Sequence, residues 1–178
     1  MRGKLISLIL ALILIGCADR PATEKILFDF ESDAELDQLH WACHTLMTLT
    51  DQYATHGTRC LRLELYPSPY PGVTPMLQKN DWSEFRTLCF DVYNPQEKEI
   101  EITVRIDDQK NWPDYPDRYN KGFRLVKGSN RIEIPLNTLV TSGTWRKMDL
   151  KSIHRFLIFM VNPPEKNVLY VDYIRLVR

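Results

Sequence analysis

The stretch RTLCFDVYNPQEKEIEITVRIDD, residues 86–108, decides the fold that we predict for this chain. In both halves of the stretch every second residue is apolar, and polar residues stand between them. Side chains alternate between the two faces of a β-strand, so this pattern predicts two strands, each with one face toward a core. An Asn-Pro pair ends the first strand. We therefore predict an antiparallel hairpin whose second face carries Asp91, Tyr93, Arg105 and Asp107 together.

The remainder of the chain shows similar short apolar segments separated by turn residues. Besides the hairpin, we predict strands at residues 25–31, 45–50, 60–66, 73–78, 122–127, 130–134, 154–162 and 167–177. The strands at 122–127 and 130–134 are predicted to form a second hairpin over a Gly-Ser turn. With about ten short strands and no long amphipathic helix, the sequence predicts an all-β fold, an antiparallel two-sheet β-sandwich forming a single domain over residues 25–178.

The N-terminal segment has the composition of an export signal. Arg2 and Lys4 precede an apolar run that ends at Gly16 and Cys17, and the run is too short to span a bilayer. The ending Leu-Ile-Gly-Cys resembles a bacterial lipobox, which implies cleavage before a lipid-bearing cysteine. We predict a lipoprotein signal peptide at residues 1–16 and a tether at residues 17–24, lipidated at Cys17. The domain would be exported and anchored by this lipid to the bacterial cell envelope, facing the periplasm or the cell surface. The alternative is an ordinary signal peptide or a simple N-terminal anchor.

The charge of the chain limits its possible functions, and its cysteines raise the question of a disulfide. Removing Arg2 and Lys4 with the signal leaves 21 of 23 basic residues against 23 acidic residues, a charge near −2. This charge argues against nucleic acid and against polybasic lipid binding. Cys43, Cys60 and Cys89 remain in the exported part. We predict a Cys43–Cys60 disulfide, because both residues stand near strand ends; three unpaired thiols are the alternative.

The polar face of the predicted hairpin and the loop that follows it form the candidate ligand site. Sugars offer hydroxyl groups to Asp and Arg side chains and apolar ring faces to aromatic side chains. The alternative is a solvated sheet face with an ion pair such as Arg105 with Asp91. The candidate ligand-binding residues are Asp91, Tyr93, Arg105, Asp107, Trp112, Tyr115, Arg118 and Tyr119. Replacing Arg105 or Tyr93 by alanine is predicted to abolish binding with little change in melting point, and an alternative site would lie around Tyr70 and Trp112.

Five segments in order along the chain resemble the galactose-binding-like jelly rolls, the β-sandwich domains that serve as carbohydrate-binding modules. The segments are FDFE, HGTRCLRLEL, DWSEFRTLCFDVYNP, VRIDD followed by DRYN and GF, and LYVDYIRL. The resemblance covers residues 26–177. It implies a jelly roll that binds an oligo- or polysaccharide on one sheet or on the loops at its edge.

The same resemblance implies a structural calcium ion where the first and last strands meet. The matching residues are Asp29, Glu31 and Asp172, and carboxylates are the ligands that Ca²⁺ favours. The alternative is that Asp29 and Glu31 simply face solvent.

We therefore predict a non-catalytic carbohydrate-binding lipoprotein of the cell envelope. A protein-interaction or scaffolding lipoprotein is the first alternative, and a glycoside hydrolase-like enzyme is the second. A hydrolase would need two opposed carboxylates. Asp107 and Asp108 are adjacent on one strand and point to opposite faces, while Asp91 and Asp107 have no clear companion groups.

Overall fold

A computed structural model of the chain describes residues 24–40, 43–78 and 80–178. Short β-strands are the main regular structure of the described chain, and two short 3-10 helices, Asp33–Gln38 and Tyr115–Asp117, lie between them. The eleven strands are β1 (Glu24–Phe28), β2 (Leu39–His40), β3 (Thr45–Thr50), β4 (Cys60–Leu65), β5 (Gly72–Pro75), β6 (Thr87–Asn94), β7 (Ile100–Asp107), β8 (Tyr119–Leu125), β9 (Gly128–Pro135), β10 (Arg155–Phe159) and β11 (Asn167–Val177).

The strands form two antiparallel sheets that face each other. In the first sheet the order is β3-β4-β11-β6-β9, and β1 also pairs with β11. In the second sheet the order is β2-β5-β10-β7-β8. From β4 onward the chain passes repeatedly from one sheet to the other. The predicted all-β sandwich of the jelly-roll type is confirmed.

The predicted hairpin over residues 86–108 is wrong in its pairing. Strand β6 belongs to the first sheet, between β11 and β9, whereas β7 belongs to the second sheet, between β10 and β8. The apolar faces of β6 and β7 both point inward, so the alternation was interpreted correctly for each strand. Alternation determines which face of a strand is buried, but it does not determine which strand lies beside it. The polar faces of β6 and β7 therefore lie on opposite outer surfaces of the sandwich.

The predicted hairpin over residues 122–134 is wrong for the same reason. Strand β8 pairs with β7 and β9 pairs with β6, so the chain crosses between the sheets here as well. The side chain of Asn94, fully buried at the end of β6, connects the two crossings. Its amide nitrogen donates to the backbone carbonyls of Lys98, at 3.0 Å, and Leu125, at 3.1 Å. One buried side chain thus satisfies backbone groups on both connections.

The core lies between the two sheets and is rich in aromatic rings. The Phe156 ring makes edge-to-face contacts with Phe90 of the first sheet and with Trp82, at centroid distances of 5.9 and 6.5 Å. All three side chains are fully buried. Edge-to-face packing of this kind contributes about 0.5–1.5 kcal/mol per pair beyond the area that it buries. These contacts help to hold the second sheet, and with it the surface described below, against the first.

The predicted Cys43–Cys60 disulfide is wrong: Cys43, Cys60 and Cys89 are all free thiols. Cys60 pairs with Thr50 at one end of the β3–β4 ladder, whereas Cys43 precedes the other end of the same ladder. A six-residue strand is about 20 Å long, well beyond the reach of a disulfide. Burial raises the pKa of the Cys60 thiol to about 12.

The predicted signal peptide and the lipid-bearing Cys17 lie outside the described residues. The lipoprotein therefore stays a prediction. Within residues 24–40, 43–78 and 80–178, no helix has the length and apolar character needed to cross a membrane.

Candidate functional site

The outer face of the second sheet carries a row of side chains that crosses all five strands. His40 of β2 stands opposite Thr74 of β5, and Leu157 of β10 stands opposite Arg105 of β7. Arg105 in turn stands opposite Asn120 of β8. Five strands about 4.8 Å apart span roughly 19 Å, so the row is long enough for several sugar rings.

Arg105 and Asp107 form a buried ion pair at the centre of this face. The Nε and Nη2 atoms of Arg105 donate to the two carboxylate oxygens of Asp107, at 2.8 and 2.5 Å. The Asp107 side chain is fully buried, and the Arg105 side chain is 10% exposed. Arg155 approaches the same carboxylate at 3.5 Å and donates to the backbone carbonyl of Gln109 at 3.0 Å. Asp107 therefore holds two guanidinium groups in place, and the Arg105 group faces outward.

Trp112 lies above both guanidinium groups. Its ring centroid is 4.2 Å from the guanidinium carbon of Arg155 and 5.3 Å from that of Arg105, which are cation–π distances. The ring nevertheless remains 70% exposed. Its position is therefore fixed on one side, while the other side is free to contact a ligand.

Two adjoining grooves lie along this face and share Arg105 and Leu157 on their floor. The larger, about 690 Å³, extends past Trp112 toward His40 and Thr74. The smaller, about 190 Å³, extends past Tyr115 toward Tyr70 and Asn120. We refer to the two together as the Arg105 groove. Its walls combine exposed rings with polar side chains, as is typical of ligand sites.

Arg118 lines the smaller half of the Arg105 groove. Its Nε atom donates to the backbone carbonyl of Pro113 at 2.7 Å. Burial, followed by repulsion from the Arg105 guanidinium, lowers the pKa of Arg118; Asp107 and the exposed Asp114 oppose this effect. Positive charge is thus concentrated on this part of the sheet.

An ion-pair network behind the groove holds the loop that carries Trp112 and Tyr115. Arg146 makes a bidentate contact with the buried Asp108 carboxylate at 2.7 and 2.8 Å, and a second contact with Asp117 at 2.8 Å. The pKa of Asp108 is lowered: burial raises it, but hydrogen bonds from Arg146 and from the Asp149 backbone outweigh burial. As predicted, Asp108 points away from Asp107. Because Arg146 contacts both Asp108 and Asp117, it holds the loop at its start and near its end.

Of the eight predicted ligand-binding residues, five lie at the Arg105 groove: Arg105, Asp107, Trp112, Tyr115 and Arg118. Tyr119 does not lie there, because its side chain turns inward from β8 and packs against the core. Burial raises the pKa of Tyr119 to about 12. In the sequence Tyr119 directly follows the irregular loop, so nothing local distinguished it from the exposed rings.

Asp91 and Tyr93 lie on the opposite outer surface, so their predicted grouping with Arg105 and Asp107 is wrong. Because β6 and β7 belong to different sheets, the alternative Arg105–Asp91 ion pair is absent as well. The Tyr93 ring instead stacks on Tyr53 at a centroid distance of 3.8 Å. Asp91 accepts from Arg131, at 3.1 Å, and from the hydroxyl group of Thr55, at 3.1 Å. On this side both residues hold the loop after β3 against the first sheet.

Several groove residues were not among the eight predicted site residues: His40, Arg155, Leu157 and Phe159, while Tyr70 was predicted only for the alternative site. The sequence carried a signal for two of them, because residues 156–160 are apolar on both faces of the strand. Such a run is typical of a strand that is buried on both faces, or of one whose second face is covered by a loop. Leu157 and Phe159 in fact face outward, and they form an apolar floor beneath the loops. Tyr70 and His40 reach the groove through long-range pairing, which no local pattern reports.

The three carboxylates predicted to bind calcium, those of Asp29, Glu31 and Asp172, are surrounded by hydrogen-bond donors. The Glu31 carboxylate accepts from the backbone N–H groups of Thr58 and Arg59, at 2.8 and 2.7 Å, and from the Thr58 hydroxyl at 2.8 Å. These bonds lower the pKa of Glu31, the Arg59 N–H most of all. Asp29 has the imidazole of His56 at 3.9 Å. Oxygen lone pairs that a cation would need are thus directed at N–H and O–H groups.

Asp172 is occupied in the same way. One carboxylate oxygen accepts from the backbone N–H groups of Thr55 and His56, at 2.6 and 2.9 Å, and the other accepts from Tyr173 N–H at 2.7 Å. Within the described part of the chain, no three His, Cys, Asp or Glu side chains form a group that could hold a metal ion. In this arrangement the three residues do not fit calcium, and the calcium site stays a prediction that the geometry does not favour.

We expect a chelator to leave the thermal unfolding midpoint unchanged, because hydrogen bonds from N–H and O–H groups already stabilise the Glu31 and Asp172 carboxylates. Thermal unfolding with and without EDTA, together with elemental analysis of the purified protein, measures this. A bound calcium ion at a hundredfold excess over its Kd would stabilise by about 2.7 kcal/mol, or roughly 5–10 °C for a chain of this size. A fall of that size, reversed by added calcium, would establish the calcium site.

The fold is similar to that of several solved structures. A family 11 carbohydrate-binding module from Clostridium thermocellum, in complex with a β-1,3-1,4-mixed-linked tetrasaccharide, is 19% identical with a TM-score of 0.66, over 86% of this chain and 95% of that chain. An exo-β-agarase is 16% identical with a TM-score of 0.65, over 85% of this chain and 25% of that chain. The Clostridium thermocellum xylanase 10B, as CBM22-1 and GH10 modules complexed with xylohexaose, is 13% identical with a TM-score of 0.58, over 87% of this chain and 28% of that chain.

At these identities the similarity shows the fold alone. No protein-family model matches the chain, and no curated protein matches it. The predicted resemblance to jelly rolls of the carbohydrate-binding-module type is therefore confirmed as a statement about the fold. What the domain binds has to be argued from the Arg105 groove.

Proposed function

We propose that this protein is a non-catalytic saccharide-binding domain whose ligand lies in the Arg105 groove. The observation that carries the proposal is the position of three exposed rings along one groove: Trp112, Tyr115 and Tyr70, exposed by 70%, 68% and 50%. Among the described residues only two other aromatic side chains are comparably exposed, Tyr53 and Trp145. Exposed aromatic rings beside polar groups are suited to the apolar faces and the hydroxyl groups of sugars.

An unpaired donor in the groove supports the same proposal. Asn120 lines the smaller half of the groove, and its Nδ2 atom is buried with no hydrogen-bond acceptor among the described residues. A buried polar group without a partner costs about 1–3 kcal/mol. A ligand oxygen in the groove would supply the missing acceptor.

The arrangement of carboxylates supports binding rather than hydrolysis. A glycosidase needs two carboxyl groups on either side of the scissile bond. Asp91 and Asp107 lie on opposite surfaces of the sandwich, and Asp108 is held by Arg146 behind the groove. Asp107 is fully buried beneath Arg105. None of these three acids can meet a partner across a sugar in the Arg105 groove.

We include the cell-envelope lipoprotein in the proposal. It is supported by the basic and apolar start of the sequence and by its Leu-Ile-Gly-Cys ending at Cys17. A lipid at Cys17 would hold the domain at a membrane, with its groove available for an extracytoplasmic saccharide. A scaffolding role is the alternative, and it would require the same face to be covered by a protein.

We expect Trp112→Ala to weaken binding about ten- to a hundredfold. The substitution removes a ring that a sugar would bury, worth roughly 1.5–3 kcal/mol, and the exposed position of the ring implies little effect on folding. Affinity electrophoresis against a panel of neutral and acidic polysaccharides identifies a ligand and measures the loss. Trp145→Ala is the matched control, since this ring is 76% exposed but does not line the groove.

Two outcomes would contradict the proposal. The first is that no polysaccharide in the panel retards the protein. The second is that Trp112→Ala and Trp145→Ala affect binding equally, which would place the saccharide outside the groove.

A further inference from the structure

The side chains of the Arg105 groove that can carry a charge near neutral pH are all basic. They are the three guanidinium groups of Arg105, Arg118 and Arg155, accompanied by the imidazoles of His40 and His154. None of the described residues that line either half of the groove is Asp or Glu. Asp107 offsets one positive charge from beneath, and Asp114 lies exposed on the neighbouring loop. The groove therefore has an excess of positive charge, although the chain as a whole has none.

Donors on these guanidinium groups remain available to a ligand. A guanidinium carries five N–H bonds. Arg105 directs its Nε and Nη2 atoms at Asp107, which leaves Nη1. Arg118 uses Nε for the Pro113 carbonyl, and no described residue accepts from either of its Nη atoms. Together with the amide of Asn120, these groups form a cluster of donors around the smaller half of the groove.

We propose that the saccharide bound in the Arg105 groove is acidic, with a carboxylate or sulfate group lying between Arg105 and Arg118. This inference rests on the proposed saccharide-binding function and specifies its ligand class. The planar fork of a guanidinium matches two oxygens of such a group, and charge-assisted bonds of this kind are stronger than neutral ones. Asp, Asn and Gln side chains can bind a neutral sugar, because they accept hydrogen bonds from its hydroxyl groups. Among the described residues that line the groove, Asn120 alone is of these types.

The aromatic side chains distinguish an acidic saccharide from a general polyanion. Tyr115 contributes to the half of the groove that contains Arg118, and Trp112 stacks over Arg105 and Arg155. Ring faces contribute to binding only if the ligand has an apolar face between its charges, as pyranose rings do. Binding should therefore depend on both the sugar ring and its acidic group.

The test compares acidic polysaccharides with neutral forms of the same backbone. The full chain in detergent is measured by affinity electrophoresis against polygalacturonate and its methyl ester, and against carrageenan and desulfated carrageenan. The first pair reports on carboxylate and the second on sulfate. We expect at least tenfold stronger retardation by the acidic member of one pair, a loss of binding as salt rises from 50 to 500 mM, and roughly tenfold weaker binding for Arg118→Gln.

Arg131→Gln is the control for the same change in residue type, because Arg131 lies on the opposite surface beside Asp91. We expect it to bind as the unaltered protein does. Equal binding to acidic and neutral forms, with no effect of Arg118→Gln, would overturn the acidic ligand and leave saccharide binding intact. Equal binding to single-stranded DNA, weakened alike by both variants, would also overturn it. Failure to bind any of the four polysaccharides, or the neutral panel, would contradict the proposed function itself.

Discussion

Arg105→Ala is expected to lower the free energy of unfolding by about 3–5 kcal/mol, because it leaves the fully buried Asp107 carboxylate without its bidentate partner. Arg155, at 3.5 Å, is too distant to replace both bonds. At roughly 2–4 °C per kcal/mol for a chain of this size, the unfolding midpoint should fall by about 6–20 °C. Urea and thermal unfolding followed by tryptophan fluorescence measure both quantities.

A rescue experiment separates the unpaired charge from the lost packing. Replacing the pair together, as Arg105→Met with Asp107→Leu, should recover most of the lost stability, since an apolar pair of similar volume avoids burying a charge. Arg131→Ala is the control for an exposed arginine and should cost less than about 1 kcal/mol. An Arg105→Ala protein that unfolds at the original midpoint would contradict the buried pair.

This expectation reverses the one drawn from the sequence, where Arg105→Ala was predicted to leave the melting point nearly unchanged. The alternation of apolar and polar residues in β7 correctly predicted that Arg105 lies on an outer face. It did not indicate that Asp107, beneath Arg105, is fully buried. Loss of binding in Arg105→Ala would therefore be ambiguous. Trp112 and Arg118 are better probes of the groove, because neither is the bidentate partner of a buried carboxylate.

The second large effect is expected at Gly72, where β5 lies against β10. A Cβ atom at this position would stand 2.4 Å from the carbonyl oxygen of Ile158 and 2.6 Å from the Cα atom of Phe159. Backbone atoms cannot move aside as a flexible side chain can, so Gly72→Ala must separate the two strands. We expect a loss of about 3 kcal/mol, at the upper end of the cost of overpacking, and weaker ligand binding because Phe159 lines the groove. Urea unfolding and affinity electrophoresis measure the two effects.

Gly128→Ala is the matched control for the same change in residue type. Gly128 has a φ of +92°, and a Cβ atom there would meet nothing within 4 Å, so only backbone strain opposes the substitution. We expect a cost of about 1 kcal/mol and unchanged binding, because Gly128 is at the start of β9 in the other sheet. Equal losses for the two variants would contradict the expectation that the close approach of backbone atoms at Gly72 costs more than the backbone strain at Gly128.

The buried face of each strand could be predicted, because the local alternation of apolar and polar residues determines it. Ile102, Val104 and Ile106 are fully buried, as their spacing indicated, and Arg105 lies on the outer face. Pairing was not predictable in the same way, because β6 and β7 have apolar faces suited both to a hairpin and to opposing sheets. The choice depends on partners far along the chain, such as β10 for β7 and β11 for β6.

In the candidate site, too, the residues close to β7 in sequence could be predicted, whereas those brought there by long-range strand pairing could not. Trp112, Tyr115 and Arg118 follow β7 within eleven residues, so a local interpretation brought them correctly to Arg105. Asp91 was grouped with them only because the hairpin was assumed. His40 joins the groove through β2 and β5, and a two-residue strand has no periodicity that a sequence could show.

The position of β11 has a consequence for the order in which the domain can form. This strand pairs with β4 and β1 along one side and with β6 along the other, so it joins the early and middle parts of the first sheet. A nascent chain that has reached only β10 contains the local β3–β4 pair and the β6–β9 pair of the first sheet but lacks the strand that lies between them. Contacts this distant in sequence form slowly. We therefore expect the first sheet, and with it the whole sandwich, to form only once β11 is available.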